Sequence, residues 1–269
     1  MRALLIGDII GRPGRAIVER VVVPLREEQG IDLVVANCEN AAGGAGITPP
    51  VADELFRSGV DVLTSGNHVW RKREAYDLLK LDHRVIRPAN YPDVSPGAGS
   101  TVIETLRGRK VGILNIQGRV FMEPIDCPFR AATKELERLR LVSRVIIVDM
   151  HAEATSEKVA MGWFLDGKVS CIFGTHTHIP TADERILPKG TAFITDVGMT
   201  GPYDSVIGRK TDQILERFLS GVPVRSEVAE GDIQLHALLV DIDEATGKAT
   251  KVERLTRVLE ESVRDTPDR

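Results

Sequence analysis

This sequence of 269 residues is poor in aromatic residues and has no excess of basic ones. It contains two Trp, three Tyr and seven Phe, and its 35 Lys and Arg are outnumbered by 39 Asp and Glu, giving a formal net charge of −4. A general nucleic-acid binder needs a basic field and aromatic stacking surfaces. We therefore expect no duplex nucleic acid as a partner, although a cleft of opposite local charge can still attract a small anion.

Cysteines are also few, and they are Cys38, Cys127 and Cys171. Their number is odd and they share no short metal-ligand spacing, so neither a disulfide framework nor a zinc ribbon is expected. We expect reduced, mostly buried thiols.

Long apolar runs are missing as well. No stretch approaches the ~18 uninterrupted apolar residues of a membrane span. The first residues, MRALLIGDIIGRPGR, carry an acid and glycines too early for a secretory leader. The sequence therefore predicts a cytoplasmic protein with no membrane partner, and it leaves homo-oligomerisation open.

Short apolar segments recur along the chain and predict strands. These segments are 3–6, 33–36, 60–63, 101–103, 111–116, 145–148, 170–173, 191–195, 234–242 and 253–258. Many are nearly continuous rather than alternating, which is typical of strands covered on both faces. Helices are predicted at 15–28, 49–58, 71–81, 131–139, 157–165 and 210–219, with Thr155 or Ser156 as a cap for the fifth.

The order of these elements favours an α/β fold. No fixed-period repeat, low-complexity tract or Ser/Pro linker divides the chain. We predict a single domain over residues 1–260, followed by a frayed tail at 261–269 that is charged and contains proline.

Polar side chains of the metal-ligand type follow five of the predicted strands at their carboxyl ends. They are Asp8; Asn37, Glu39 and Asn40; Asn67 and His68; Asp149 and His151; and His176 and His178. In an open α/β sheet the carboxyl ends of the strands border one crevice, so residues distant in sequence become neighbours in space.

Each residue taken alone also has an ordinary structural explanation. Asp8 has the alternative of a turn residue or helix cap, because Asp favours such positions. His151 has the alternative of a hydrogen-bonded core histidine. Glu39 resists such an explanation, because burying a carboxylate costs several kcal/mol unless it is paired or metal-bound, and no basic residue lies near it in sequence. The pair of His176 and His178 is the strongest local signal, since alternation at a strand end aims two imidazoles at neighbouring positions.

Three imidazoles, two carboxylates and two amide oxygens suit first-row transition metals better than Ca²⁺ or Mg²⁺. Seven ligands exceed one coordination shell, whereas two ions sharing a carboxylate use them all. Two such ions, spaced ~3.5–4 Å apart, clamp the attacking and leaving oxygens of a phosphoryl transfer. Two metals, two carboxylates and a bridging hydroxide leave a charge of about +1, which attracts an anionic phosphate ester.

The same residues resemble the calcineurin-like metallophosphoesterase superfamily. The matching blocks are Gly7-Asp8, Glu39-Asn40, Gly66-Asn67-His68, His151 and Gly174-Thr175-His176-Thr177-His178. Three positions depart from the usual pattern. Ile10 stands where the Asp-x-His block has its histidine, Glu39 replaces the bridging Asp, and Val69 follows Gly-Asn-His where an acid is common.

These departures, together with the strings GDIIGRPGR, NCENAAGGAGIT, SGNHVW and GTHTHIPTADE, are similar to the bacterial YmdB-type subfamily over nearly the whole chain. The resemblance implies a β-sandwich flanked by helices on both sides. It also implies hydrolysis of phosphodiesters, above all 2′,3′-cyclic nucleotides, by in-line attack of a metal-bound hydroxide.

The cofactors implied are two divalent or mixed-valence first-row metals, with iron or manganese expected. Glu39 would bridge them and His68 would be the proton donor. The remaining implied ligands are Asp8, Asn40 and His178 on one metal, and Asn67, His151 and His176 on the other. Asn40 would replace the ligand that Ile10 cannot supply.

Three alternatives remain open. A phosphomonoesterase or nucleotidase would use the same site, because its charge attracts monoesters as well as diesters. A non-catalytic phosphate or metal sensor would keep the ligands without needing His68. Finally, the spacing of Gly7, Gly11 and Gly14 after a strand resembles a dinucleotide-binding loop, although Asp8 would point its charge at the pyrophosphate.

Overall fold

Two β-sheets lie face to face, and helices cover the outer face of each. The computed structural model describes residues 1–105 and 107–259. The strands are β1 (Arg2–Ile6), β2 (Asp8–Ile9), β3 (Leu33–Asn37), β4 (Val62–Thr64), β5 (Ser100–Glu104), β6 (Lys110–Gln117), β7 (Val145–His151), β8 (Cys171–Thr175), β9 (Arg185–Ile186), β10 (Ala192–Ile194), β11 (Met199–Pro202), β12 (Ile233–Ile242) and β13 (Ala249–Val258). The α-helices are α1 (Gly11–Gln29), α2 (Pro49–Arg57), α3 (Ala75–Leu81), α4 (Pro128–Leu139), α5 (Thr155–Leu165) and α6 (Thr211–Ser220).

The first sheet has the order β2-β11-β12-β1-β3-β4, with β13 also paired to β12. Its strands β1, β3 and β4 run parallel, and β12 is antiparallel to β1. The second sheet has the order β5-β6-β7-β8-β10-β9. Its four central strands are parallel and the two outer ones antiparallel. In both sheets, the carboxyl ends of the parallel strands therefore lie at one edge of the molecule.

Side-chain alternation along each strand explains why both faces of the sheets are buried. Leu5 of β1 packs against Ile113 and Ile147 of the second sheet, in the layer between the sheets. Its neighbour Leu4 points the other way, into a layer shared with α1, α2 and α3. A third apolar layer lies between the second sheet and the helices α4 and α5. The near-continuous apolar runs in the sequence thus correspond to strands with two apolar neighbours.

The main elements lie where the sequence predicts them, with differences at their ends. Three short strands, β2, β9 and β11, were not predicted, because runs of two to four residues carry no readable period. The helix predicted at 71–81 begins only at Ala75, since residues 69–71 form a 3₁₀ turn and Lys72 is extended. The predicted cap of α5 is wrong. The helix begins at Thr155, so Ala154 occupies the N-cap position without a side-chain hydrogen bond.

The glycines of the dinucleotide-like pattern are explained by packing. A β-carbon on Gly7 would lie 1.7 Å from the carbonyl oxygen of Gly198, and one on Gly14 would lie 2.3 Å from that of Thr200. Gly11 adopts a left-handed φ of 54° at the start of α1. Gly14 lets α1 approach the strand that carries Thr200, and Gly7 lets the segment after β1 approach Gly198. Packing thus accounts for these glycines without a bound dinucleotide.

The division into one domain at 1–260 stays a prediction, and the predicted frayed tail at 261–269 lies outside the described residues. Within residues 1–105 and 107–259, no helix is long and apolar enough to cross a membrane.

Candidate metal centre

The structure brings the predicted ligands together at the edge where the two sheets meet. The first sheet contributes Asp8, the first residue of β2, together with Glu39, Asn40 and Asn67, which follow β3 and β4. The second sheet contributes His151, the last residue of β7, and His176 and His178, which follow β8. We call these seven residues the ligand cluster. Asp8, Glu39 and His151 are at most 1% exposed.

Glu39 lies at the centre of the ligand cluster. Its carboxylate belongs to two separate groups whose ligand atoms all lie within 4.8 Å of one another. One group is Glu39 with His151 and His176, and the other is Glu39 with Asp8 and His178. Two groups of cation ligands that share one carboxylate are what a bridged pair of metals requires.

Each histidine of the ligand cluster is held by one ring nitrogen and presents the other to the cluster. His151 Nδ1 lies 2.9 Å from Thr175 Oγ1, which leaves its Nε2 3.1 Å from Glu39 Oε2. His178 Nδ1 donates to the carbonyl of Ile207 at 2.9 Å, so its Nε2 faces the side of Asp8. Outer partners of this kind fix the tautomer and the orientation of metal-binding imidazoles.

His176 is also held by one ring nitrogen, but in this residue Nε2 contacts the outer partner and Nδ1 faces the ligand cluster. Its Nε2 lies 3.1 Å from Glu153 Oε2, and its Nδ1 lies 3.1 Å from His151 Nε2. Both His176 and His178 lie beyond the end of β8, with positive φ values of 93° and 66°. The two rings therefore converge through a left-handed turn and not through strand alternation, which corrects the geometric reason given by the sequence.

Asp8 shows the clearest need for a cation. Its Oδ1 is buried without a hydrogen-bond partner, whereas Oδ2 accepts from the backbone nitrogen of His176 at 3.0 Å. Burial raises the pKa of Asp8 above its usual value. A bound cation beside Oδ1 would pair the orphaned oxygen and offset the cost of burying its charge.

The charges of Glu39 and His151 are mutually dependent. Burial opposes ionisation of both groups. Even so, the charge of His151 and its hydrogen bond lower the pKa of Glu39, and Glu39 in turn raises that of His151 to about 9. Burial and the neighbouring His151 lower the pKa of His176 to about 3. His151 is thus the partner of the central carboxylate in the structure, in the place where a metal cation would interact with it.

The two amides of the ligand cluster are oriented differently. Asn67 Oδ1 lies 3.1 Å from His151 Nε2, so its oxygen faces the cluster. Asn40 turns its Nδ2 towards Glu39 and His178, while its Oδ1 lies 2.8 Å from His68 Nδ1. Asn40 would act as a ligand only after its amide turned over, an exchange of two atoms of nearly identical shape.

His68 lies beside the ligand cluster. Its side chain is 28% exposed, and its Nδ1 is 3.4 Å from Glu39 Oε1. Its backbone nitrogen donates to the other oxygen of Glu39 at 3.1 Å. Burial lowers the pKa of His68, and Glu39 partly offsets that effect. His68 can therefore reach a group bound at the cluster while remaining outside it.

Several residues support the ligand cluster from outside it, a role that the sequence analysis did not give them. Thr175 bonds both His151 and Asp149, and the Asp149 carboxylate also accepts from Asn37 and Thr64. Burial raises the pKa of Asp149 to about 6. Glu153 and the carbonyl of Ile207 orient the other two histidines. Of these, Glu153 had a weak signal, since it lies two residues after His151, whereas Ile207 had none.

Comparisons with known proteins identify relatives that match nearly the whole chain. The model of the family described as YmdB-like protein matches residues 4–255. A 2′,3′-cyclic-nucleotide 2′-phosphodiesterase of Bacillus subtilis (strain 168) is 46% identical over 255 residues, which are 95% of this chain and 96% of that protein.

Two solved structures are similar over nearly their whole length. A hypothetical protein from Thermus thermophilus has a TM-score of 0.90 at 41% identity, covering 96% of this chain and 99% of that one. A novel phosphatase from Mycoplasma pneumoniae has a TM-score of 0.90 at 35% identity, covering 96% and 93%.

Proposed function

Because the chain belongs to the YmdB-like protein family, we propose that it is a metal-dependent phosphodiesterase whose substrates are 2′,3′-cyclic nucleotides. The Bacillus subtilis relative is named for this reaction, and it covers nearly the whole chain. The observation that carries the proposal is the position of Glu39, whose carboxylate joins two groups of candidate metal ligands.

We assign the ligand cluster to two metals bridged by Glu39. One ion would be held by Asp8, Asn40 and His178. The other would be held by Asn67, His151 and His176. The mixture of imidazole, carboxylate and amide donors suits iron or manganese. The orphaned Oδ1 of Asp8 and the outward anchoring of all three histidines support this assignment.

The residues of the chain would divide the chemistry between binding and proton transfer. When bound, the two metals would polarise the phosphate and lower the pKa of water so that it attacks at neutral pH. His68, placed next to Asn67 and partly open to solvent, would donate a proton to the leaving ribose oxygen.

The test is a substrate panel on protein reconstituted separately with iron, manganese and zinc. We expect turnover of 2′,3′-cyclic nucleotides to exceed that of p-nitrophenyl phosphate, and metal analysis to find two ions per chain. A preference for the monoester would favour the phosphatase activity for which the Mycoplasma pneumoniae structure is named. Metal binding without turnover of either ester would indicate the sensor function.

A further inference from the structure

A buried ion pair lies behind the turn that carries His176 and His178. Lys158, in α5, places its Nζ 2.7 Å from Oδ2 of Asp196, just after β10. The two side chains are 1% and 0% exposed. Burying a lysine and an aspartate is costly in free energy unless their contacts are good, so the reason for their position has to be found in what they touch.

Both charged groups hold Thr177, the residue between the two histidines. Asp196 Oδ2 accepts from Thr177 Oγ1 at 2.6 Å and from its backbone nitrogen at 3.2 Å. Lys158 Nζ donates to the same hydroxyl at 3.2 Å. The other oxygen of Asp196 accepts from Gly198 N at 2.8 Å, which anchors the pair to the following chain segment.

The turn needs such support because its backbone is unfavourable. His176 and His178 both have left-handed φ values, which non-glycine residues populate sparsely. Such conformations persist only where the surroundings determine them. Thr177, between them, is held at its main chain and its side chain by the ion pair. Loss of the hydrogen bonds that hold Thr177 would therefore move two of the three imidazoles of the ligand cluster at once.

We propose that Lys158 and Asp196 are positioning residues that fix the 176–178 turn and thereby set the affinity of the centre for metal. The inference rests on the metal centre proposed above and adds residues that touch neither metal nor substrate. A buried ion pair is weak evidence for a role in stability, because well-packed apolar residues often serve as well. Here the pair's contacts go to the histidine turn and its anchor, which points to geometry as its purpose.

The experiment compares metal affinity with the stability of the metal-free protein. Lys158→Met keeps an unbranched side chain, shorter by one atom, and removes the charge. Thr177→Val removes the hydroxyl while leaving the ion pair intact. Metal affinity is measured by competition with a chelator, and the melting temperature (Tm) of the metal-free protein is followed in parallel.

For both variants we expect the metal Kd to rise by about 10–100-fold, the range found when outer-shell partners of metal ligands are changed. The Co²⁺-loaded variants should also show altered absorption spectra, since ligand geometry changes.

Asp183→Asn is the matched control. The Asp183 carboxylate joins the same two chain segments farther along, accepting from Thr181 Oγ1 at 2.6 Å and from Thr195 Oγ1 at 2.6 Å. Its loss should lower the Tm of the metal-free protein without changing the metal Kd by more than about twofold.

The inference is overturned if Thr177→Val and Lys158→Met raise the Kd no more than Asp183→Asn does. Should Lys158→Met fail to fold, Thr177→Val decides alone. If the unaltered protein binds no metal, the proposed function falls and the inference with it, whereas wild-type metal binding with unchanged variants overturns the inference only.

Discussion

Glu39 is the residue whose replacement should have the widest effect. Glu39→Gln keeps the shape of the side chain but removes the charge that both ligand groups share. We expect reconstituted protein to retain less than half of its metal and to lose most of its turnover, because a neutral amide bridges cations poorly. Metal analysis after desalting measures the first effect, and the phosphodiester assay measures the second.

The control for this change is Glu153→Gln, the same substitution at a residue whose carboxylate lies 3.1 Å from the outer nitrogen of His176 and which is 47% exposed. It should retain both metals at saturating metal concentration, because the loss of an outer partner of one ligand lowers metal affinity by about 10–100-fold without removing a ligand. A Glu39→Gln variant with full metal content and full activity would show that Glu39 is only a buried acid at a strand end.

His68 should separate catalysis from metal binding. His68→Gln removes a ring that lies beside the ligand cluster but outside both ligand groups. We expect both metals to remain and turnover of cyclic nucleotides to fall about 10²–10⁴-fold, the usual contribution of a general acid. The loss should be smaller for nitrophenyl esters, whose leaving group needs no proton.

Two outcomes would assign His68 another role. Loss of a metal ion in His68→Gln would make it a ligand. An equal loss for nitrophenyl and ribose leaving groups would make it a phosphate-binding residue.

Gly66 tests the space available at the centre. A β-carbon there would lie 2.1 Å from His151 Nε2 and 2.4 Å from Glu39 Oε2, and its backbone needs no positive φ. Gly66→Ala is therefore a purely steric change, and we expect it to reduce metal content as strongly as Glu39→Gln. Gly112→Ala, whose β-carbon would come no closer than 3.3 Å to its neighbours, is the control and should retain its metals. Normal metal content in Gly66→Ala would mean that His151 does not bind metal through Nε2.

At the scale of elements, the start of α4 makes one thiol different from the other two. Cys127 is partly exposed at the N-cap of this helix, and the nearby backbone N–H of Arg130 lowers the pKa of its thiol. Cys38 and Cys171 are buried, and burial raises the pKa of each. Because the thiolate is the reactive species, we expect Ellman's reagent to modify one thiol rapidly in the folded protein and all three after denaturation.

Cys127→Ser supplies the control, since it should abolish the rapid reaction and leave two slow thiols. Rapid modification of Cys38 or Cys171 in the native protein would contradict the burial described for β8 and for the end of β3.

The carboxyl ends of the strands made much of the centre predictable. Each apolar run that ends in a polar ligand type, such as the run before Glu39 or before His151, predicts both a strand and a residue at the crevice. The left-handed turn at His176 and His178 was not predictable, because it depends on Asp196, which lies 19 positions beyond Thr177 and accepts its backbone hydrogen bond. Likewise, the tautomer of His178 is set by the carbonyl of Ile207, which any residue could provide.

At the scale of the whole molecule, the pattern of apolar residues does not predict which sheet each strand joins. β4 and β6 both read as apolar runs with two covered faces, yet they lie in different sheets. Only the family resemblance suggested a sandwich, and the observed pairing of two sheets with helices on both outer faces agrees with it. The arrangement matters for the centre, because each proposed metal takes at least one ligand from each sheet.

This sharing couples metal binding to the stability of the whole molecule. Asp8 and Glu39 from one sheet face His151 from the other, and all three are buried, so the metals would take ligands from both sheets and hold the sheets together. A ligand at 100 times its Kd that binds only the folded state stabilises it by about 2.7 kcal/mol. For a chain of this size about 1 kcal/mol corresponds to roughly 2–4 °C in Tm.

We expect chelation to lower the Tm by roughly 5 °C or more, with recovery on adding metal back. The same treatment should shift Glu39→Gln much less, because that variant has less metal to lose. An equal Tm with and without chelator in the unaltered protein would show that no metal links the two sheets.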